Sequence, residues 1–144
     1  MIRHITIAGA VLAALQGVAP AQEAADPRVT RGALEYREAC AACHGVEADG
    51  NGEIAWMLST APPDLRGLTV GNGGTFPFDR VYRVIDGRVP VAGHGPRLMP
   101  VWGRRFLREA EREGADLPHG HDPELVAAGR ILVLIEYLRS IQLD

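Results

Sequence analysis

The sequence predicts an all-α domain of three to five helices joined by long, ordered loops. Three observations lead there. Two Asp-Pro pairs, Asp26-Pro27 and Asp122-Pro123, each stand ahead of a run with apolar residues at helical spacing. Asp offers an N-cap oxygen, and Pro suits the first helical position, where its missing N–H costs nothing. Gly and Pro gather in residues 45–76 and 88–103, which interrupts regular structure there. No stretch alternates apolar and polar residues as a half-buried strand does.

The first helix begins at Asp26-Pro27. Val29, Ala33, Tyr36, Cys40 and Cys43 follow at 4-3-4-3 spacing and share one face; Gly45 can end it. Asp49-Gly50-Asn51-Gly52, Pro62-Pro63 and Gly71-Asn72-Gly73-Gly74 are turn signals. A short helix is expected from Ile54 to Ser59 and a longer one from Phe78 to Ile85, stopped by Gly87. Residues 104–113 read as a charged surface helix. The last helix runs from Pro123 to about Ile141. Ala127, Ile131, Leu134, Leu138 and Ile141 form its apolar stripe, with Val133 and Tyr137 beside it. Glu124, Arg130, Glu136, Arg139 and Gln142 are expected to face out. Loops this long are uncommon without a reason; wrapping a cofactor supplies one.

The length of 144 residues fits one domain. Residues 1–21 read as a secretory signal peptide. Arg3 precedes an apolar run from Ile5 to Ala19, and Ala19-Pro20-Ala21 is a small-x-small cleavage site. An uncleaved membrane anchor is the alternative, although the run is short of the roughly 20 residues a span needs. Residues 22–144 form the expected mature domain, which export would place in a bacterial periplasm. All 15 basic residues are Arg. The mature part sets 14 Arg against 18 acidic residues, a net charge of −4. No basic block interleaved with aromatics points to nucleic acid. A mildly acidic, mixed-sign surface suits a monomer making brief, charge-guided encounters.

Cys40-Ala41-Ala42-Cys43-His44 carries the chemistry. The chain has no other cysteine. Cys-x-x-Cys followed by His is the pattern of covalent haem attachment, two thioethers to the vinyl groups and an imidazole to the iron. On a helix the three residues stand at i, i+3 and i+4, on one side. Zinc and dithiol redox chemistry share the Cys-x-x-Cys pair. Zinc would need two more ligands, which His119 and His121 could supply. A redox motif would want a preceding strand and a βαβ context, and the sequence offers neither.

The iron's sixth position decides the function. Met57, Met99, His94, His119 and His121 are the candidates. Met57 lies only 13 residues after His44, and Met99 lies 55 after it. Pro100 restricts the backbone of Met99 to an extended conformation, which presents a thioether from a stiff segment. His94, between glycines, is the rival; a second imidazole lowers the potential where a thioether raises it.

These residues resemble the class I cytochromes c, the monohaem electron carriers. Gly32-x-x-x-Tyr36-x-x-x-Cys40 is similar to that family's first helix, whose small residue packs against the last helix. Leu134 to Ser140, with Tyr137-Leu138, is similar to that partner helix. Gly74-Thr75-Phe76-Pro77, Asp86-Gly87-Arg88 and Met99-Pro100-Val101-Trp102-Gly103 resemble the bacterial branch that includes the haem-bearing third subunits of cbb-type oxidases. The resemblance implies a cytochrome c fold, with loops wrapped around one covalent haem c. It implies that Pro62 or Pro63 accepts a hydrogen bond from the proximal imidazole. It also implies that Arg88 can pair with a propionate, and that Trp102 and Trp56 can pack on or hydrogen-bond to the haem.

The expected protein is a periplasmic one-electron carrier and not an enzyme, with a redox partner such as an oxidase, reductase or dehydrogenase. Its single haem and lack of a second transmembrane segment favour a free carrier over an integral subunit. Two alternatives stand beside it. One is a haem enzyme or gas sensor with a labile sixth ligand. The other is a fixed electron-transfer subunit of a dehydrogenase, docked through residues 104–121, where Arg104-Arg105 and Glu109 to Glu113 concentrate charge.

Overall fold

In the computed structural model the structure describes residues 26–88, 99–115 and 121–143. These residues form five helices and no strand: α1 (Pro27–Ala39), α2 (Ala41–His44), α3 (Phe78–Asp86), α4 (Trp102–Gly114) and α5 (Pro123–Ser140). Single 3-10 turns at Ala55–Met57, Leu65–Gly67 and Val70–Asn72 punctuate the long connection between α2 and α3. The expected helix at Ile54 to Ser59 is thus one such turn. The expected signal segment, residues 1–21, lies outside the described residues, as do His94 and His119. No helix among the described residues is long and apolar enough to cross a membrane.

Both Asp-Pro starts form as expected. The Asp26 carboxylate accepts the N–H of Arg28 at 2.8 Å. Asp122 accepts those of Glu124 and Leu125 at 3.0 and 3.3 Å. Each satisfies donors that a helix start leaves open. Gly87 ends α3 in the left-handed region, at φ 60°.

Helix α5 is the central post, against which α1, α3 and α4 all pack. Ala127, Ile131, Leu134, Ile135 and Leu138 are its buried residues. Each fully buried aliphatic side chain contributes about 1.5–3 kcal/mol. The α1–α5 crossing is close. A Cβ on Gly32 would collide with the Val133 carbonyl oxygen and press on the Tyr137 Cβ. One turn further along α1, Tyr36 meets Tyr137 at 5.1 Å between ring centres.

Three expectations need correction. Helix α4 has the charged outer surface expected, but it also buries a stripe. Starting at Trp102 rather than residue 104, it buries Trp102, Phe106 and Ala110 at i, i+4 and i+8. The dense charge of Arg104, Arg105, Arg108, Glu111 and Arg112 on its other sides hides that stripe. Arg130 does not face out. Its guanidinium bonds Glu35 of α1 at 2.8 and 3.0 Å and Glu109 of α4 at 2.8 Å, and lies 4.1 Å from the centre of the Phe106 ring. Gln142 also turns inward. Its amide group donates to the carbonyls of Leu65 and Leu138, and its oxygen accepts the N–H of Thr69. The Leu143 N–H adds a bond to the Arg66 carbonyl at 2.9 Å. The end of α5 thereby fixes the 65–69 segment.

Candidate functional site

The site starts where α1 ends. Cys40 leaves ideal helix geometry, at φ −119° and ψ −36°. Its carbonyl still accepts the N–H groups of Cys43 and His44, at 3.1 and 2.9 Å. The pentapeptide is therefore a helical turn after a break, rather than the uninterrupted helix expected. Gly45, at φ 82°, then sends the chain away. The buried Tyr36 hydroxyl donates to the Gly45 carbonyl at 2.7 Å and anchors that exit from below.

The following loop caps the turn. N–H groups of Gly50, Gly52 and Ile54 donate to the carbonyls of His44, Cys43 and Ala42, at 2.8, 3.2 and 3.0 Å. These carbonyls close a helix and have no partners within it. Gly52 comes so near that a Cβ would strike the Ala42 and Cys43 carbonyls. Gly50 does the same against the Pro62 carbonyl, so the loop draws the Pro62-Pro63 segment in. The sequence left two proline carbonyls as partners for His44; the one that meets the ring is Pro63, 3.3 Å from Nδ1.

A carbonyl only accepts, so Nδ1 carries the proton and Nε2 keeps its lone pair. Burial lowers the His44 pKa, and the Pro63 bond opposes that only in part. The ring is a neutral imidazole in the tautomer a metal needs at Nε2.

One cavity of about 820 Å³ takes in the whole set. Cys40, Cys43, His44 and Pro63 line it from the α1–α2 side of the fold. Met99, Pro100 and Trp102 line it from the segment entering α4, and Leu134 and Leu138 from α5. Leu65, Leu68, Val81, Val84 and Ile85 complete a largely apolar surface. Its volume falls within the roughly 300–1,000 Å³ of cofactor-sized pockets. Arg80 and Arg83 also line it. Both are solvent-exposed, so they stand at its rim.

The donor set fits a haem. Two thiols, a neutral imidazole and a thioether meet in one apolar cavity, with guanidinium groups where an acidic edge would reach water. The rival chemistries find less support among the described residues. His121 bonds the Ala110 carbonyl at 3.0 Å and packs on Gly114. Among the described residues no group of three or more His, Cys, Asp or Glu could hold a metal ion. A dithiol redox site needs a lowered thiol pKa. Burial, with Cys43 and Glu35 nearby, pushes the Cys40 thiol up to about 12.

Residues 27–115 match the model of the family described as cytochrome c oxidase, cbb3-type, subunit III. The chain belongs to that family. It is therefore a haem-binding electron-transfer domain, and its helical structure agrees with a cytochrome c fold. Comparison with curated proteins and with solved structures gives no match. The matched part of this cbb3-type subunit III domain holds every polar residue lining the cavity, while Leu134 and Leu138 of α5 lie beyond it.

The remaining expected site residues divide between the cavity and the surface. Trp102, 6% exposed, lines the cavity, whereas Trp56 is 82% exposed and does not. Trp56 sits on a 3-10 turn at the surface, where nothing covers it. Met57, on the same turn, is also exposed and absent from the cavity wall. Arg88 is not at the cavity. Its guanidinium is taken by Asp86 and Glu124, each at 2.8 Å. Arg80 and Arg83 stand at the rim. They were missed, although their i, i+3 spacing beside the inward Val84 marks one edge of α3 facing the site.

Proposed function

We propose that this is a monomeric periplasmic carrier of single electrons, with one haem c held through thioethers at Cys40 and Cys43. His44 and Met99 would hold its iron. One observation carries the reading: Met99 shares a cavity with both cysteines and with a His44 already set in the ligating tautomer.

Bound there, the haem supplies a one-electron change at iron. The protein's part is to hold that change in a fixed frame. Pro63 keeps the His44 ring from rotating and sustains its basicity. Pro100 stiffens the segment that presents Met99. With His44 and Met99 both holding the metal, small molecules would be kept from it. Arg80 and Arg83 would pair with the acidic groups of the haem at the rim, where water screens part of their charge. Trp102 closes the apolar wall and excludes water. No partner need form a bond here, so a small, short-lived docking face suffices. An oxidase, reductase or dehydrogenase is the class of partner.

Residues 1–21 serve as the export signal, and 22–144 form the mature domain. Export supports the covalent reading, because it delivers the two thiols outside the reducing cytosol.

The test is optical spectroscopy of the haem-loaded protein, oxidised and reduced, with and without carbon monoxide. A sulfur-to-iron charge-transfer band in the oxidised protein, lost in Met99→Ala, is expected. So is a ferrous form that leaves carbon monoxide unbound. Haem should stay on the denatured chain and be lost when Cys40 and Cys43 are both replaced by Ala. A wild-type protein without the sulfur band that takes up carbon monoxide readily would be a haem enzyme or gas sensor instead.

A further inference from the structure

The turn at Ala55–Met57 is apolar, yet it faces water. Ile54, Trp56 and Met57 are all exposed. Single exposed apolar residues are ordinary, but three large ones within four positions make a patch. The patch is not loose chain. The N–H groups of Gly52 and Ile54 tie its base to the carbonyls of Cys43 and Ala42, at 3.2 and 3.0 Å. Those of Met57 and Leu58 close the turn on the carbonyls of Ile54 and Ala55, at 3.0 and 3.1 Å. The turn is therefore a stiff projection from the haem-attachment segment. A surface groove of about 370 Å³ lies beside the indole, lined by Gly50, Gly52, Ala55, Trp56 and Ala61. Ala61 also lines the large cavity. A group seated in the groove is thus one residue away from the cavity that fits the haem. Electron exchange weakens steeply with distance, so this is a short way through the protein.

The charge around the patch has one sign. From Glu38 to Asp64 the chain carries five acidic residues and no Arg. Arg66 pairs with Asp64 and offsets part of the charge on Glu47 and Asp49. Glu53, also exposed, stands between Gly52 of the groove and Ile54 of the patch. We propose that a redox protein docks on the Trp56 turn and its groove, presenting an Arg or Lys at the centre of an apolar contact. This rests on the electron-carrier reading. The cation lies on the indole face, where the ring quadrupole attracts it, and its aliphatic stem packs on Ala55 and Ala61. Trp and Met suit the dry centre of an interface, and the acidic residues form its polar border. Arg80 and Arg83, on the cavity rim, repel such a partner, so its approach is steered to the acidic side. A turn already fixed by backbone bonds loses little freedom on docking. One electron crosses, the iron and the partner's centre change by one charge in opposite senses, and no bond or proton moves.

The test uses the haem-loaded full chain and charged metal complexes as probes. One readout is amide NMR of the ferrous protein titrated with tris(phenanthroline)ruthenium(II), an aromatic cation that does not exchange electrons with it. The Gly52 and Ala55 amides and the Trp56 indole N–H should shift together. Binding should weaken about fivefold in Trp56→Ser, the size of one exposed cation–π contact. The other readout is stopped-flow oxidation of the ferrous protein by tris(phenanthroline)cobalt(III), a cation, and by ferricyanide, an anion. Trp56→Ser and the double variant Glu47→Gln/Glu53→Gln should each lower the ratio of the cobalt rate to the ferricyanide rate about fivefold. Added salt should lower the same ratio in the wild type. Shifts confined to the Arg80–Arg83 rim, or a rate ratio that the variants leave unmoved, overturn the docking face. A dimer of the haem-loaded protein that Trp56→Ser breaks also overturns it, because the patch then belongs to a second copy of the chain. A wild type that lacks the sulfur band and takes up carbon monoxide removes the carrier reading and this face with it. A wild type that passes that test, with variants that bind and react as it does, overturns the face only.

Discussion

Glu35→Ala removes the carboxylate that joins α1 to α5. Glu35 is 1% exposed and accepts hydrogen bonds from Arg31 and from Arg130, the latter at 2.8 and 3.0 Å. The variant leaves the Arg130 head, whose side chain is 17% exposed, with Glu109 as its remaining charged partner. Breaking a buried pair costs about 3–5 kcal/mol, because the surviving charge has lost its water and its partner. Two features hold the cost at the low end. Arg130 keeps its place over the Phe106 ring and its Glu109 bond. Arg31 is 61% exposed and returns to water. The expected loss is therefore about 3 kcal/mol, and for a chain of this size it lowers Tm by roughly 12 °C. The assay is thermal unfolding of the haem-loaded protein followed by helical ellipticity. A companion variant, Glu35→Met with Arg130→Met, should recover most of the loss, since apolar residues of similar volume need no partner. A fall of under about 3 °C for Glu35→Ala would refute the reasoning, because it would put the pair's worth in the range of surface ion pairs.

Two glycines should respond in opposite directions to Ala, although both lie in helices. Gly32→Ala should lose about 1–3 kcal/mol in denaturant unfolding, because the new methyl meets α5 backbone that cannot yield. Gly129→Ala, with nothing within 4 Å, should gain about 0.5–1 kcal/mol from helix propensity; equal effects would refute the close crossing. Acid should weaken the α4–α5 contact through Glu109. Burial raises its pKa, but bonds from Arg105 and Arg130 outweigh that and hold it below 4.5. A depressed carboxylate stabilises fully above its unfolded pKa, and the gain disappears as pH falls through the folded value. Tm should therefore fall more steeply below about pH 4.5 in the wild type than in Glu109→Gln; parallel curves would argue against it.

How much could be read from the chain differs from residue to residue. The order of the helices was legible, because helix starts and stops are chosen by neighbours. Asp26 and Asp122 cap N–H groups two or three residues away, and Gly87 turns the chain at the residue it occupies. The α4 stripe was obscured because Trp102 sits just after a Pro-rich segment and its charged neighbours outnumber the apolar ones. Arg130 and Gln142 were misread because helical spacing records which face a residue is on, not what another helix brings to that face. The resemblance of its motif lets Arg88 pair with a propionate, and nothing local shows its other partners. In the fold, Asp86 lies two residues before it and Glu124 arrives from 36 residues later, and opposite charges at hydrogen-bond distance hold it there.

What the sequence determined by itself is chemistry carried by contiguous residues: the thiols and imidazole of Cys40 to His44, the Met99-Pro100 pair, and the helical class. Each depends on spacing along one turn or on a single bond. Only the tertiary structure decided which proline carbonyl fixes His44, which arginines reach the cavity, and that Glu35, Arg130 and Glu109 form a buried bridge across three helices. Those depend on distances between segments far apart in the chain. Such distances are set by the way α5 packs against α1, α3 and α4, and no local pattern contains them.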